Sequence, residues 1–163
     1  MKDFVIRPLA GLEWNGCLLP LGASKTEAEA FFGPAEVVRG SYYYFESELR
    51  LDFDAAGGLE FVEFLGGAEG ALRPRLYGAD VFETDAEELC TLLREKNGGT
   101  VIDNENGYSY AFSAISVGMY REVTPADIDD MEDGLSAEEL AFEKQRAFRW
   151  ATLGFGRADY YVP

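Results

Sequence analysis

Residues 48–67 read ELRLDFDAAGGLEFVEFLGG, and this stretch predicts the hairpin on which the rest of the chain is built. Apolar residues at positions 49, 51 and 53 alternate with charged residues at 50, 52 and 54, which is typical of a strand with one buried face. Small residues at 55–58 permit a tight turn, and positions 59–65 supply a second, more aromatic strand. Because an isolated hairpin is only marginally stable in water, its apolar face needs a cover of helices or further strands.

Three segments elsewhere carry the signature of a capped helix N-terminus, in which Ser or Thr is followed three residues later by Glu. They are Ser24 with Glu27, Thr84 with Glu87, and Ser136 with Glu139. Apolar residues at helical spacing follow each signature, and in the first two segments a glycine follows these apolar residues. The sequence therefore predicts helices over residues 24–32, 84–96 and 136–145.

Runs of apolar residues predict the remaining strands, and the short links between them favour antiparallel pairing. These strands are expected at residues 4–6, 12–19, 37–45, 79–82, 101–102, 108–112, 115–119, 148–153 and 158–162. Residues 66–75 are expected to form a loop, and residues 154–156 a turn between the last two strands.

The fold class predicted from these elements is α+β: a single domain over residues 1–163, with antiparallel sheet and about three helices packed on one face. The order of one helix and three strands, followed by another helix and three strands, also suggests two similar halves. Hydrophobic residues make up 47% of the chain, which favours a packed core over disorder.

The chain is strongly acidic, with 30 Asp and Glu against 14 Lys and Arg and a formal charge of −16. Such a surface repels phosphate backbones and anionic lipids, so neither nucleic acid nor a membrane is the expected partner. The charge favours a basic protein partner, although in many proteins the same charge serves solubility alone.

Side chains suited to catalysis or metal binding are scarce. No histidine occurs, which removes His-based acid–base chemistry and His-ligated metals. Cys17 and Cys90 form no CxxC pair and are expected to be free thiols in a reducing cytoplasm. No cofactor motif, signal peptide or apolar run of about 20 residues is present, so we expect a cytoplasmic protein without a cofactor.

Paired carboxylates are the one remaining source of chemistry. Asp52 and Asp54, or Glu60 and Glu63, could serve a hydrolase, but alternating carboxylates are typical of the solvated face of a sheet. Residues 52–63 also match part of a calcium-binding loop. Ala56 occupies a ligand position of that loop, and both flanks read as strands rather than helices, so no metal site is predicted.

Two sets of residues are candidate partner-binding surfaces. The first is the acidic stretch 127–133, expected to be an exposed loop, and the second is a set of Tyr and Trp residues, the types that anchor interfaces. The predicted partner-binding residues are Asp127, Asp129, Asp130, Glu132, Asp133, Tyr43, Trp150 and Tyr160. The alternative interpretations are a solvated loop for the first set and core packing for the second.

The stretch LGASKTEAEAFFGPAE, residues 21–36, resembles the helix opening of beta-lactamase inhibitor protein-like repeats, although Pro34 follows Gly33 directly. Residues 107–122 and 148–161 resemble segments of small acidic uncharacterised bacterial proteins, some of them suspected of toxin-immunity roles. The resemblance implies a non-catalytic protein-binding fold and carries no functional residues with it.

The sequence therefore favours a protein-binding module that is not an enzyme, such as an immunity-type inhibitor that masks a basic toxin or enzyme. The alternative is a small-ligand-binding protein or a carboxylate-only hydrolase with a tyrosine-lined pocket. A pocket that contains Glu60, Glu63 or a buried Asp would favour the alternative.

Overall fold

The computed structural model describes residues 2–162, which form an α+β fold of four helices and two sheets. The helices are α1 (Lys25–Phe32), α2 (Ala86–Asn97), α3 (Pro125–Met131) and α4 (Ala137–Ala147). The strands are β1 (Lys2–Arg7), β2 (Gly11–Trp14), β3 (Cys17–Pro20), β4 (Glu36–Val38), β5 (Ser41–Tyr44), β6 (Leu49–Phe53), β7 (Leu59–Phe64), β8 (Leu72–Leu76), β9 (Ala79–Asp80), β10 (Val101–Ile102), β11 (Ser109–Phe112), β12 (Val117–Tyr120) and β13 (Thr152–Gly156).

The large sheet has eight antiparallel strands in the order β10-β11-β12-β13-β7-β6-β5-β4. The hairpin predicted from residues 48–65 is present as β6 and β7. Strands β4–β7 follow one another through one half of the sheet, and β10–β13 do the same through the other half. The two halves are joined where β7 pairs with β13, with Val62 opposite Phe155 and Phe64 opposite Leu153.

The small sheet has five strands in the order β3-β2-β1-β8-β9 and is mixed, because β1 runs parallel to β8. The prediction that 66–75 is entirely a loop is therefore wrong, since Arg73-Pro74-Arg75 lies within β8. Leu72 and Leu76 are buried at the two ends of this strand. Its partner β1 lies far upstream in the chain, so no local pattern could reveal the pairing.

Both sheets share one apolar core. Phe4 of β1 stacks on Trp14 at 5.7 Å between ring centroids and packs edge-on against Phe64 of the large sheet at 5.4 Å. Helix α1 adds Phe32 to this aromatic cluster, and helix α2 buries Leu89 and, one turn further on, Leu93. Aromatic pairs of this kind stabilise a core beyond the area they bury.

The three predicted helices are present within about two residues of their expected bounds, a normal boundary error. Ser24 caps α1 and Ser136 caps α4, each through its hydroxyl and the backbone N–H three residues on. The cap of α2 is Asp85 rather than Thr84, because the Asp85 carboxylate accepts the N–H groups of Glu87 and Glu88.

The acidic stretch 127–133 was predicted to be a loop, and this is wrong for residues 127–131, which lie in α3. Thr124 caps this helix in a reciprocal capping box with Asp127, and Pro125 occupies the first turn. Helices α3 and α4 bury Val123, Ile128 and Ala147 in a cluster separate from the main core. Helices α1 and α2 instead bury Ala28, Leu89 and Leu93 in the main core, and the packing of helices on one face stays a prediction.

Several predicted strands divide or disappear. Residues 12–19 form two strands joined at Asn15-Gly16, and residues 37–45 form two strands joined at Arg39-Gly40, with positive φ at all four turn residues. The end of the chain has one strand, β13, where two were predicted. Residues 158–162 do not pair with the large sheet as a strand. Instead, their tyrosine rings pack over its surface.

Gly154 was predicted to form a turn but lies inside β13, opposite Glu63 and Gly118. A Cβ atom at this position would lie 2.4 Å from the Phe61 ring and 3.1 Å from the Tyr161 hydroxyl. Glycine is therefore required here because there is no room for a side chain. Its backbone conformation is not the reason, since its φ is not positive.

We expect Gly154→Ala to lower the free energy of unfolding by about 2 kcal/mol, because the added methyl group overpacks the ring above it. Gly134→Ala is the matched control, since its nearest neighbour is a carbonyl oxygen 3.9 Å away, and it should change stability by less than about 0.5 kcal/mol. Chemical denaturation of both variants measures the difference. Equal stability of Gly154→Ala and the parent would contradict this packing.

Candidate functional site

The eight residues predicted to bind a partner lie in three separate places. Asp127, Asp129, Asp130, Glu132 and Asp133 lie on α3 and directly after it. Tyr43 and Tyr160 lie on the face of the large sheet that points away from the core, which we call the outer face. Trp150 lies in the core. The structure therefore does not unite the acidic and aromatic sets into one surface.

Trp150 is only 1% exposed, so it cannot anchor a partner in this fold. Its indole N–H donates to the Ala86 carbonyl at 3.0 Å, and the Arg121 guanidinium lies 4.5 Å from its ring centroid. Arg121 itself is buried and donates to the carbonyls of Gly107 and Ala147. Trp150 and Arg121 thus connect the end of α4 to the sheet and to α2.

Asp127 is not a free charge either. Its carboxylate accepts the Thr124 backbone N–H at 3.0 Å and the Tyr108 hydroxyl. The hydrogen bond from Tyr108 and then that from Thr124 hold the pKa of Asp127 below its ordinary value. Asp127 therefore positions the start of α3.

The other four acidic residues form the exposed acidic surface of the α3–α4 hairpin: Asp129, Asp130, Glu132 and Asp133. Within residues 2–162 none of these four forms an ion pair with Lys or Arg. Arg146, near the end of α4, is already paired with Glu122 and Glu143. These four carboxylates therefore have no ion-pair partner in the described part of the chain, although the hairpin as a whole also carries Lys144 and Arg146.

Phe142 is the residue that sequence reasoning missed. It lies on α4 with 53% of its surface exposed and lines a shallow groove of about 350 Å³. The other lining residues are Leu135, Glu138, Glu139 and Glu143. Phe142 follows Leu140 by two positions, which places it about 200° around the helix from the face packed on α3. That offset could have marked it as an exposed aromatic residue.

The outer face carries one continuous row of paired residues across seven strands. The row runs through Tyr43, Arg50, Glu63, Gly154, Gly118, Ala111 and Ile102. Large polar residues occupy the β5–β7 half of this row, and small residues occupy the β11–β13 half. The small residues leave room for the Tyr161 ring, which packs over Gly118 and Gly154.

Arg50 organises the polar half of the row. Its guanidinium lies 3.2 Å from Asp52 and 3.3 Å from Glu63, and 5.4 Å from the Phe61 ring centroid. Tyr160 stacks on the other side of Phe61 at 4.4 Å. Burial raises the pKa of Glu63, Arg50 opposes that shift, and Asp52 adds to it.

A concavity of about 270 Å³ occupies the small-residue half of the outer face. Its floor includes Gly118 and Ala111, and Glu63 and Tyr161 line one side of it. Glu105, which accepts the Ser109 hydroxyl at 3.0 Å, lines it from the turn between β10 and β11. A pocket containing Glu63 is the feature expected of a ligand-binding protein.

Groups for catalysis or metal binding are not brought together in the part of the chain described here. No three Asp, Glu or Cys side chains converge there in a way that could hold a metal ion. Asp54 of the calcium-like stretch is engaged by the backbone N–H groups of Ala56 and Gly58 and by Arg157. Among residues 2–162 there is also no helix long and apolar enough to cross a bilayer.

Comparison of the chain with protein-family models, with curated proteins and with solved structures found no match. The resemblance of residues 21–36 to beta-lactamase inhibitor protein-like repeats therefore stays a prediction.

The lowered pKa of Asp127 predicts a pH dependence of stability. The charged carboxylate stabilises the fold above the ordinary Asp pKa of about 3.9, and this contribution is lost as pH falls through the lower pKa of the folded state. Asp127→Asn should therefore be less stable than the parent at neutral pH, and the difference should vanish in acid. Denaturation of both proteins from pH 7 to pH 2 measures it.

Tyr108→Phe is the matched control, because it removes the hydroxyl that contributes most to the shift and keeps the Asp127 carboxylate. Titration of the Asp127 carboxyl carbon by NMR should show its pKa rising towards the ordinary value in this variant. An unchanged pKa would contradict the role assigned to Tyr108.

Proposed function

We propose that this chain is a non-catalytic protein-binding module, and that the α3–α4 hairpin binds a basic protein partner, as an immunity-type inhibitor of a basic toxin or enzyme would. One observation carries this proposal: Phe142 is more than half exposed on α4, with Glu138, Glu139 and Glu143 along one side and the Arg146 guanidinium 5.8 Å from its ring centroid. An exposed aromatic side chain among charges has the composition of an interface centre with its rim.

The charge of the hairpin supports a basic partner in particular. Asp129, Asp130, Glu132 and Asp133 are exposed and form no ion pair with a Lys or Arg in the part of the chain that the structure describes. Their field would speed the encounter with a positive surface, whereas the apolar contact of Phe142 would slow dissociation. The two contributions are separable in an experiment.

A carboxylate-only hydrolase has less support. Asp52 and Glu63 both lie beside Arg50, so neither is free to act as an unpaired acid or base. The concavity next to Glu63 does favour ligand binding as a second candidate function. That function uses the outer face and is compatible with a partner on the α3–α4 hairpin.

We also infer that the two halves of the large sheet are repeats of one unit. Helix α1 precedes the four strands β4–β7, and helix α2 precedes β10–β13, with α3 and α4 inserted before the last strand. Each half meets the other through its final strand in antiparallel pairing, which is what a two-fold relation requires. This arrangement supports the resemblance to a repeated protein-binding fold.

Association and dissociation rates with a partner captured from the native host test the proposal. Phe142→Ala should raise the dissociation rate about tenfold and leave the association rate almost unchanged. Replacement of Asp129, Asp130, Glu132 and Asp133 by Asn or Gln should slow association about fivefold and flatten its salt dependence. Neither change should lower thermal stability, since all five side chains are exposed.

Two control variants make the test specific. Tyr77→Ala removes an aromatic residue that is 37% exposed on another part of the surface. A second control neutralises four exposed carboxylates outside the hairpin: Glu29, Glu36, Glu88 and Glu95. If the controls alter the rates as much as the hairpin variants do, the hairpin is a solvated surface and the proposal is wrong.

A further inference from the structure

We propose that the concavity on the outer face binds a linear aliphatic dication, that is, a diamine or a polyamine. The proposal goes beyond the partner-binding function of the α3–α4 hairpin, because it uses residues of the outer face and none of α3 or α4. Its ligand class follows from the charges, the floor and the length of the concavity.

The charges that line the concavity are of one sign. Glu63 and Glu105 are its ionisable carboxylates, and no Lys or Arg is among the described residues that line it. The Glu63 side chain is only 20% exposed, and a single guanidinium, that of Arg50, lies beside it at 3.3 Å while also contacting Asp52. Burial raises the pKa of Glu63 and the Arg50 guanidinium opposes that shift, so a second cation beside the carboxylate would stabilise its charged form further. A ligand ammonium group would supply that second cation.

The floor suits an aliphatic chain. Ala111 pairs with Gly118 of the neighbouring strand and presents only a methyl group, while the Tyr161 ring packs over Gly118 itself. Tyr120 also lines the concavity. Methylene groups pack against such a surface, and tyrosine rings attract a nearby ammonium group.

The separation of the two carboxylates sets the length of the ligand. Glu63 lies on β7, whereas Glu105 is held by Ser109 at the start of β11, with β13 and β12 between these strands. Three strand spacings amount to about 14 Å, and both glutamates line the concavity between these strands. A flexible chain with a cation near each end fits this distance better than a single cation does.

Calorimetric titration with spermidine, putrescine, butylamine and the uncharged 1,4-butanediol tests the proposal on the intact chain at physiological salt. Affinity should fall in that order, with no detectable binding of the diol. Glu63→Gln should weaken spermidine binding about tenfold, as expected for loss of a charged hydrogen-bond acceptor. Glu105→Gln should weaken it about threefold, because this carboxylate is exposed.

Glu95→Gln is the charge-matched control, since it removes one exposed carboxylate on α2, and it should leave spermidine affinity unchanged. Equal weakening by all three Glu→Gln changes would mean diffuse attraction to an acidic protein and would overturn the proposal. Absence of spermidine binding would overturn it as well. Neither result affects the hairpin proposal, which is tested with other residues.

Amide chemical shifts of the parent protein give a readout that does not depend on any variant folding correctly. Spermidine should shift the amides of Ala111, Gly118 and Thr152, which line the concavity. Shifts confined to α3 and α4 would place the ligand on the acidic hairpin and contradict the proposal.

Discussion

The pairing of β7 with β13 is the constraint on which the rest of the structure depends. It joins two runs of strands that are far apart in sequence, and the entropy of closing so long a chain segment opposes it. Val62 and Phe155, and beside them Phe64 and Leu153, are buried on the core side of this pairing and offset that cost. On the outer side the same register places Gly154 next to Glu63, and the Phe61 and Tyr161 rings pack over this glycine. Glu63 and Tyr161 then line one side of the concavity.

The positions of the cationic residues explain why unpaired negative charge is found on the α3–α4 hairpin. Four arginines are engaged by carboxylates or carbonyls elsewhere in the fold: Arg50, Arg73, Arg121 and Arg157. Arg73 and Arg121 are buried and donate to backbone carbonyls, a use that a lysine could not match with a single ammonium group. Few cations are then left for the helical insertion before β13. Its exposed carboxylates Asp129, Asp130, Glu132 and Asp133 have no ion-pair partner among the described residues, so the α3–α4 hairpin carries a net negative charge.

Local sequence patterns were sufficient to predict those helices and strands that depend only on residues close together in the chain. The alternation at 49–53 and the caps at Ser24 and Ser136 were sufficient for the central hairpin and two helices. Thr124 with Asp127 is the same kind of cap, but the number of nearby acidic residues suggested a loop instead. Trp150 could not be placed from sequence, because its burial depends on Arg121 and Ala86. The concavity could not be predicted from the sequence either, because it is lined by residues from five strands and two loops.

The central claim is that Phe142 and the acidic residues around it contact a basic protein. Replacing Phe142 with the photo-crosslinking residue p-benzoylphenylalanine in the native host, followed by irradiation and mass spectrometry, tests it most directly. We expect one dominant crosslinked protein with a high isoelectric point, and its adduct should disappear when unlabelled parent protein is in excess. The same crosslinker at Glu95 on α2 should not capture it. A crosslinked protein that is acidic, or an equal yield from position 95, would contradict the account.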